Sequence, residues 1–458
     1  MTEPPAPALP ERRARRLSPL TPVVRSFIVL VAAATTVLRD VTRGDLGPTA
    51  LLLTVLLLGG GVYGAASWLR TTFWIESDEL RVDTGVISRQ SRRIRIDRLQ
   101  GIDIVQPFVA RLFGLAELRM DVAGGSSREG SLAYLPVAEA QQLKDVLLAR
   151  RSQITAAPPP GEQTAGMPEP AGPGAAGQAA QPSDRVLARV DLQTLLLSIL
   201  LSPETVILVL AALGIFGLFV ATGQWVGVSF SAMLPVLLGV GFAQFRKLSG
   251  NYRFTVSETA AGLQVRRGMF DLNSQTIALK RVQGVVVTRP LMWRPLGWAR
   301  LDVSIAGYAS GAGEDGPSAS TVLPVGDHRT VMWLARHVLR ELDLEQVELR
   351  PVPKRARWMA PVTQPYLRAG TSHELVVTRE GWFGRRTHAA PQARIQSLRI
   401  TQGPWQRRLG LADVHIDSPP GPTTVRARHR DAEEARRLFD VEVAMSVWAR
   451  GRLSAGDR

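Results

Sequence analysis

Arg98-Leu-Gln-Gly-Ile-Asp-Ile-Val-Gln-Pro107, followed by Arg111-Leu-Phe-Gly114-Leu-Ala116-Glu-Leu118, occurs three times in the chain in one form or another. Self-similarity of this kind marks an array of one small folding unit. The second copy, Arg281-Val-Gln-Gly-Val-Val-Val-Thr-Arg-Pro290 with Arg294-Pro-Leu-Gly297-Trp-Ala299-Arg-Leu301, has identical spacing. The third, Arg394-Ile-Gln-Ser-Leu-Arg-Ile-Thr-Gln-Gly403 with Arg407-Arg-Leu-Gly410-Leu-Ala412-Asp-Val414, keeps Arg, Gln, Arg, Gly and Ala at the same offsets. It departs at Ser397, where the others have Gly, and at Gly403, where they have Pro.

In each copy Gln100, Gln283 or Gln396 leads into alternating β-branched residues, the pattern of a strand. Pro ends the strand in two of the copies, and Gly114, Gly297 and Gly410 permit a tight turn into the next. Upstream, Phe73-Trp-Ile, Arg253-Phe-Thr-Val and Glu374-Leu-Val-Val read as alternating strands, with Gly85, Gly268 and Gly384 turning a hairpin. Downstream, amphipathic helices are expected over 137–150, 327–339 and 431–443. Leu143, Val146 and Leu147 share one stripe, so this helix should cap the open side of a strongly bent sheet. Asp431 is the expected N-cap of the last helix, with Glu434 completing a capping box. Each copy is therefore an α+β module.

Four apolar runs lie outside the modules, 23–38 and 49–69 before the first and 205–221 and 225–245 before the second, with none before the third. A bilayer core takes about 20 apolar residues in a helix, so the runs predict four transmembrane helices in two hairpins. The first is short unless Arg25 snorkels to the interface. A further apolar segment, 192–201, reads as an interfacial or core helix. Arg12, Arg13, Arg15 and Arg16 precede the first hairpin, and Arg92, Arg93 and Arg95 follow it. Arg185 and Arg189 precede the second, with Arg246 and Lys247 after it. Positive charge stays inside, which puts all modules and both termini in the cytoplasm. A signal peptide fits the first run less well, because no small-residue cleavage site follows and a second apolar run begins at Thr49.

The expected organisation is a basic tail (1–21), hairpin one (22–70), module one (71–151), a Pro/Ala/Gly tether (152–184), hairpin two with its preceding apolar segment (185–247), module two (248–342), a Pro/Arg-rich connector (343–372), module three (373–450) and a tail (451–458). At 458 residues the length suits about three domains. The chain has no cysteine and six histidines, which removes disulfides, thiolate metal sites and cysteine nucleophiles. Its net charge of +15 points to an anionic partner, a membrane face or a nucleic acid.

With its order and spacing taken together, the chain resembles the bacterial pleckstrin-homology-like membrane proteins of the YdbS/YdbT type, and specifically the longer, three-module member. The residues that carry the likeness are Arg15-Arg-Leu-Ser-Pro-Leu before the first span, the two hairpins, and each Arg-x-Gln-(Gly/Ser) strand with its downstream Arg and Gly. The resemblance implies a bent β-sandwich or partly open barrel closed by a C-terminal helix, and no known reaction.

Motifs that mimic catalytic signatures lack their context. Gly59-Gly-Gly61-Val-Tyr-Gly64 matches a dinucleotide pattern by letters but lies in a predicted span, where close helix packing explains it better. His429-Arg-Asp431 lacks the rest of a kinase set. His415 and Asp417 are too few to hold a metal. No catalytic, cofactor or metal site is expected. The repeated Arg98, Arg281 and Arg394, with Arg111, Arg294 and Arg407, suit phosphate oxygens, but bridging within the fold is the favoured reading. The juxtamembrane arginines named above are the better candidates for lipid headgroups, each contributing about 1 kcal/mol near the surface. The expected function is a non-enzymatic scaffold or assembly platform at the inner face of the bacterial cytoplasmic membrane. Its expected partners are membrane lipids and a second copy or a related shorter PH-like membrane protein. The alternative is an anionic-lipid-sensing, transport-accessory or envelope-stress role, and nucleic acid is disfavoured because aromatics make up only 6% of the chain.

Overall fold

The computed structural model describes residues 15–16, 70–76, 79–84, 90–122, 131–156, 185–222, 228–259, 262–306, 320–418 and 421–456. The chain divides into two units, Met1–Gln181 with Phe270–Ser274, and Pro182–Met269 with Gln275–Arg458. Hairpin one, the glycine run 59–64, and Arg12 and Arg13 lie outside the described residues.

In the first unit, β1 (Arg15–Arg16), β2 (Thr72–Glu76), β3 (Glu79–Thr84) and β4 (Gln90–Arg95) form an antiparallel sheet in that order. A 3-10 turn at Ile96–Arg98 leads into β5 (Leu99–Gln106), α1 (Phe108–Leu112), β6 (Leu115–Val122) and β7 (Ser131–Pro136). α2 (Val137–Ala156) closes the module with Ala140, Leu143 and Leu147, three and four residues apart, against Phe73, Leu80, Ile94 and Leu118. Full burial of a side chain such as Leu147 contributes about 2 kcal/mol. Phe270–Ser274 belongs to this unit: Leu272 pairs with Gln106 and Ser274 with Ile104, while Phe270 stands edge-on to Phe108.

The second unit repeats the plan twice. Its first module runs β8 (Arg185–Arg189), α3 (Leu192–Leu200), α4 (Pro203–Thr222), α5 (Val228–Asn251), β9 (Thr255–Thr259), β10 (Gly262–Arg267), β11 (Leu272–Ile277), β12 (Val282–Pro290), β13 (Trp298–Ile305), β14 (Thr321–Asp327) and α6 (His328–Val338). The next runs β15 (Arg350–Pro351), β16 (Arg368–Thr371), β17 (Leu375–Glu380), β18 (Gly384–Pro391), β19 (Ser397–Thr401), α7 (Pro404–Arg408), β20 (Leu411–Asp417), β21 (Val425–Asp431) and α8 (Ala432–Gly456). Each module thus has seven strands and a closing helix.

Several expectations need correction. The first strand of each module comes from residues assigned elsewhere: Arg15–Arg16 from the basic tail, Arg185–Arg189 from the hairpin segment, and Arg350–Pro351 from the connector. These strands are short and arginine-bearing, and none carries an apolar alternation to announce it. In the third module, 3-10 turns at Lys354–Trp358 and Gln364–Tyr366 stand between first and second strands, where the second module has α4 and α5. The β17–β18 turn uses Gly381, at φ +90°, rather than Gly384, because the left-handed conformation falls there. Asp431 does cap α8, accepting from the Glu433 backbone at 3.0 Å, but Glu434 is drawn to Arg430 instead of completing the box.

The two modules of this unit share one sheet. β12 pairs with β18 from Val285–Ala389 to Pro290–Gly384, giving seven strands in the order β14-β13-β12-β18-β17-β16-β15. Leu375, Val377 and Ala389 therefore enter the preceding module's core, and Val376 and Ala390 enter their own. A strand buried on both faces reads as a continuous apolar run, which corrects the alternation expected at Glu374-Leu-Val-Val.

Among the described residues, no single helix is long and apolar enough to cross a membrane. Leu192–Leu200 with Pro203–Gly214, bent by 49°, passes as a pair on length and composition. α3 buries Leu195 in the core and leaves Leu192, Leu196 and Leu200 exposed. Ile207, Leu210 and Leu213 on α4, and Leu238 and Phe242 on α5, are exposed too. Lys247 ties the two long helices together at their base, 2.6 Å from Glu204.

Candidate functional site

The repeated glycines have a backbone role. Gly114, Gly297 and Gly410 sit at φ +67°, +70° and +62°, a region that L side chains adopt only with strain. Each donates its N–H to the carbonyl of the repeat arginine three residues earlier, Arg111, Arg294 or Arg407, at 3.0–3.1 Å.

The repeated arginines are used unequally. Arg98 is exposed. Arg281 donates to the Ala306 carbonyl within its own module, and Gln283 Nε2 donates to the Arg281 carbonyl at 3.2 Å. Arg394 crosses to the preceding module, donating to the Lys280 carbonyl at 2.7 Å. Arg294 also crosses, to the Trp382 carbonyl in the β17–β18 turn. Arg111, Arg407 and Gln396 are exposed, and the side chain of Gln100 lies outside the described ones.

Of the juxtamembrane set, Arg15 and Arg16 are placed by their backbone in β1, while Arg92, Arg93 and Arg95 lie exposed on β4. Arg95 is occupied by Asp97 at 2.8 Å. That pairing holds the Asp97 carboxyl below its ordinary value. His415 and Asp417 take separate partners, Thr401 at 3.0 Å and Ser397 at 2.8 Å. The His429 backbone donates to Asp413, a buried carboxylate that also accepts from Gln406 and Arg426.

The polar side chains that do converge were not singled out by the repeat. Arg289 and Arg385 are direct cross-strand neighbours where β12 meets β18, and Arg379 stands opposite Arg368 where β17 meets β16. Thr387, two residues beyond Arg385, is opposite Arg379 and accepts from its Nε at 3.3 Å, so the four arginines share one sheet face. Arg294 approaches from the turn after β12. Burial lowers the pKa of Arg289, Arg294 and Arg379, and the Arg385 charge lowers each further. His328, at the start of α6, is pushed down by burial and then by Arg289. No sequence spacing announces this cluster, because its members become neighbours only when strands of two modules pair. The nearest signal is the doublet Arg385-Arg386 beside the Gly381 turn.

Guanidiniums in this density recognise anions and do not exchange protons near neutral pH. The arrangement offers anion-binding chemistry.

Comparison with known proteins agrees with the repeat. The family described as Bacterial PH domain matches residues 26–151, 194–342 and 353–441, most of the chain. Each match begins just after the short first strand of a module. A relative from Bacillus subtilis (strain 168), named UPF0699 transmembrane protein YdbT, is 23% identical over 326 residues, which cover 67% of this chain. The aligned part spans 64% of that protein's length.

Proposed function

Because this chain belongs to the bacterial PH-domain family, we propose that it is a non-enzymatic scaffold at the cytoplasmic membrane, whose modules assemble by joining sheet edges. The observation that carries this reading is the β12–β18 pairing, by which one module receives the next along a strand edge. The same register joins Leu272 to Gln106, as Arg385 is joined to Arg289. Among the described residues, β19 has no strand on its outer side, since the sheet runs β19-β20-β21. It is the position from which a further module would continue, and an open strand edge is a template for pairing.

Self-pairing is the weaker version. Transferring the β12–β18 register to β19 and the free edge of β4 sets Arg399 opposite Arg92, and like charges directly opposed destabilise a sheet. The partner is therefore a related PH module on another chain, with an acidic or neutral residue facing Arg399.

Membrane attachment is supported by the relative's name and by the exposed apolar side chains of α3, α4 and α5, which lie on the two long helices and the one before them. Arg246 and Lys247 at the end of α5 support a cytoplasmic position for the modules, since positive charge stays inside.

The chain has no cysteine, so an Arg399→Cys variant carries a single thiol, which can bear a photocrosslinker. Crosslinking in intact membranes should trap one defined neighbour containing the same module type. If Arg399→Cys yields no discrete adduct while α8 positions such as Trp448→Cys do, the edge-joining reading is wrong.

A further inference from the structure

The arginine cluster on one face of β12, β18, β17 and β16 costs the sheet stability. Like charges directly opposed in a sheet destabilise it, and here Arg289 faces Arg385 while Arg368 faces Arg379. Three of these four are half-buried, as is Arg294, so solvent screens their repulsion incompletely. Among the described residues, none of the five forms an ion pair with a carboxylate. Asp327 acts on Arg289 only through space, and its carboxylate is engaged with the Arg329 backbone as the N-cap of α6. Arg289 Nε and Arg294 Nε are buried with no hydrogen-bond partner in the protein, so the charge is not discharged inward.

Arg294 and Arg379 reach neutral acceptors, the Trp382 carbonyl and Thr387, whereas Arg426 meets a carboxylate, Asp413, at 2.6 Å. The cluster differs in gathering cations that oppose one another. It lies on one sheet face, and His328, the first residue of α6, feels the Arg289 charge.

We propose that the cluster formed by Arg289, Arg294, Arg368, Arg379 and Arg385 is a binding site for a phosphate-bearing anion. Guanidinium forks match tetrahedral phosphate oxygens, and forks from neighbouring strands can hold more than one of those oxygens. Phosphate is presented equally by a lipid headgroup and by a soluble phosphate compound. Because the site straddles β12 and β18, occupancy would stiffen the joint between the two modules.

The test uses the full chain in nanodiscs and follows thermal unfolding at low ionic strength. One arm adds inorganic pyrophosphate to neutral phosphatidylcholine discs, and the other replaces part of the lipid with phosphatidylglycerol. Wild type should be stabilised in one arm or both. A shift with pyrophosphate identifies a soluble ligand, and a shift with phosphatidylglycerol alone identifies a headgroup. Arg385→Gln and Arg289→Gln should raise the anion concentration needed for a given shift about tenfold or more, the loss expected when one fork of a phosphate site is removed. Arg386→Gln, exposed on the other face, should respond as wild type does. Without added anion, Arg385→Gln should unfold no earlier than wild type, since it relieves repulsion, whereas a purely structural arginine would leave a weakened protein. The proposal is overturned if neither arm stabilises wild type, or if Arg385→Gln responds as strongly.

Discussion

His328, the first residue of α6, donates its backbone N–H to the carbonyl of Gly297 at 2.7 Å, and the same bond recurs from Val137 to Gly114 at 3.2 Å and from Ala432 to Gly410 at 2.9 Å. One glycine per module thus turns left-handed and satisfies an orphan donor at the start of the closing helix. This explains why the glycine recurs in all three copies.

A Cβ at Gly297 would meet only Asp327 Oδ1, at 3.5 Å, so the expected penalty for a side chain is conformational rather than steric. Gly297→Ala should destabilise by about 1–2 kcal/mol. Gly297→Asn should do so by less, because Asn tolerates the left-handed region, and Gly297→Val by more. Denaturant unfolding of the three variants checks the order, and equal effects would exclude the backbone explanation.

Gly284 and Gly421 have a different reason. A Cβ at Gly284 would lie 2.8 Å from the Ala389 carbonyl and 2.9 Å from Thr423, and one at Gly421 would collide with Ser304, whose Oγ accepts from the Thr423 backbone at 2.9 Å. Both glycines allow the last two modules to approach. Gly284→Val should destabilise by about 1–3 kcal/mol through overpacking. Ser397→Ala, at the equivalent place in the last copy, should change stability by about 0.5 kcal/mol or less, since Ser397 is exposed. Comparable losses at the two positions would contradict this account.

The sequence pattern made the modules legible because strand, turn and helix recur at fixed offsets, and Gly297 and its equivalents could be assigned to turns from spacing alone. The departures at Ser397 and Gly403 were visible, but their reason was not. Among the described residues no strand lies on the outer side of β19, so Ser397 meets no second backbone there, and the Gly403 N–H donates to Gln406 at 2.9 Å as proline could not. The arginine cluster was invisible for the same physical reason. Arg289 and Arg385 are linked by strand pairing between modules, and no periodicity within either module encodes it. Strands as short as β1 and β15 are fixed by their neighbours and carry no pattern of their own.

Glu442 on α8 is fully buried, and burial raises its pKa, with the nearby polar groups of Thr371 and Gln392 opposing the rise. The folded protein therefore holds this proton where the unfolded chain has released it. With more protons bound in the folded state, stability falls as pH rises from the ordinary value of 4.5 toward the raised one. Glu442→Gln, uncharged at every pH, should flatten that part of the stability profile and be the more stable form at its upper end. Urea midpoints measured from about pH 5 to pH 8 test this, and parallel profiles for the two proteins would refute it.

Arg399 governs whether the open edge of β19 accepts its own kind. It is exposed on β19, opposite His415 of β20, and the transferred register brings it against Arg92 of another copy. Replacing it with Glu turns a like-charge pair into an opposite-charge pair, a reversal of roughly 0.5–2 kcal/mol per contact from the cross-strand range. Arg399→Glu should therefore weaken capture of the natural neighbour and shift the detergent-solubilised chain toward self-association. Adding Arg92→Glu should reverse the gain by restoring like charges. Size-exclusion chromatography with light scattering reads all three states. A second substitution that fails to return the protein to its wild-type mass would show that β19 and β4 do not meet in this register.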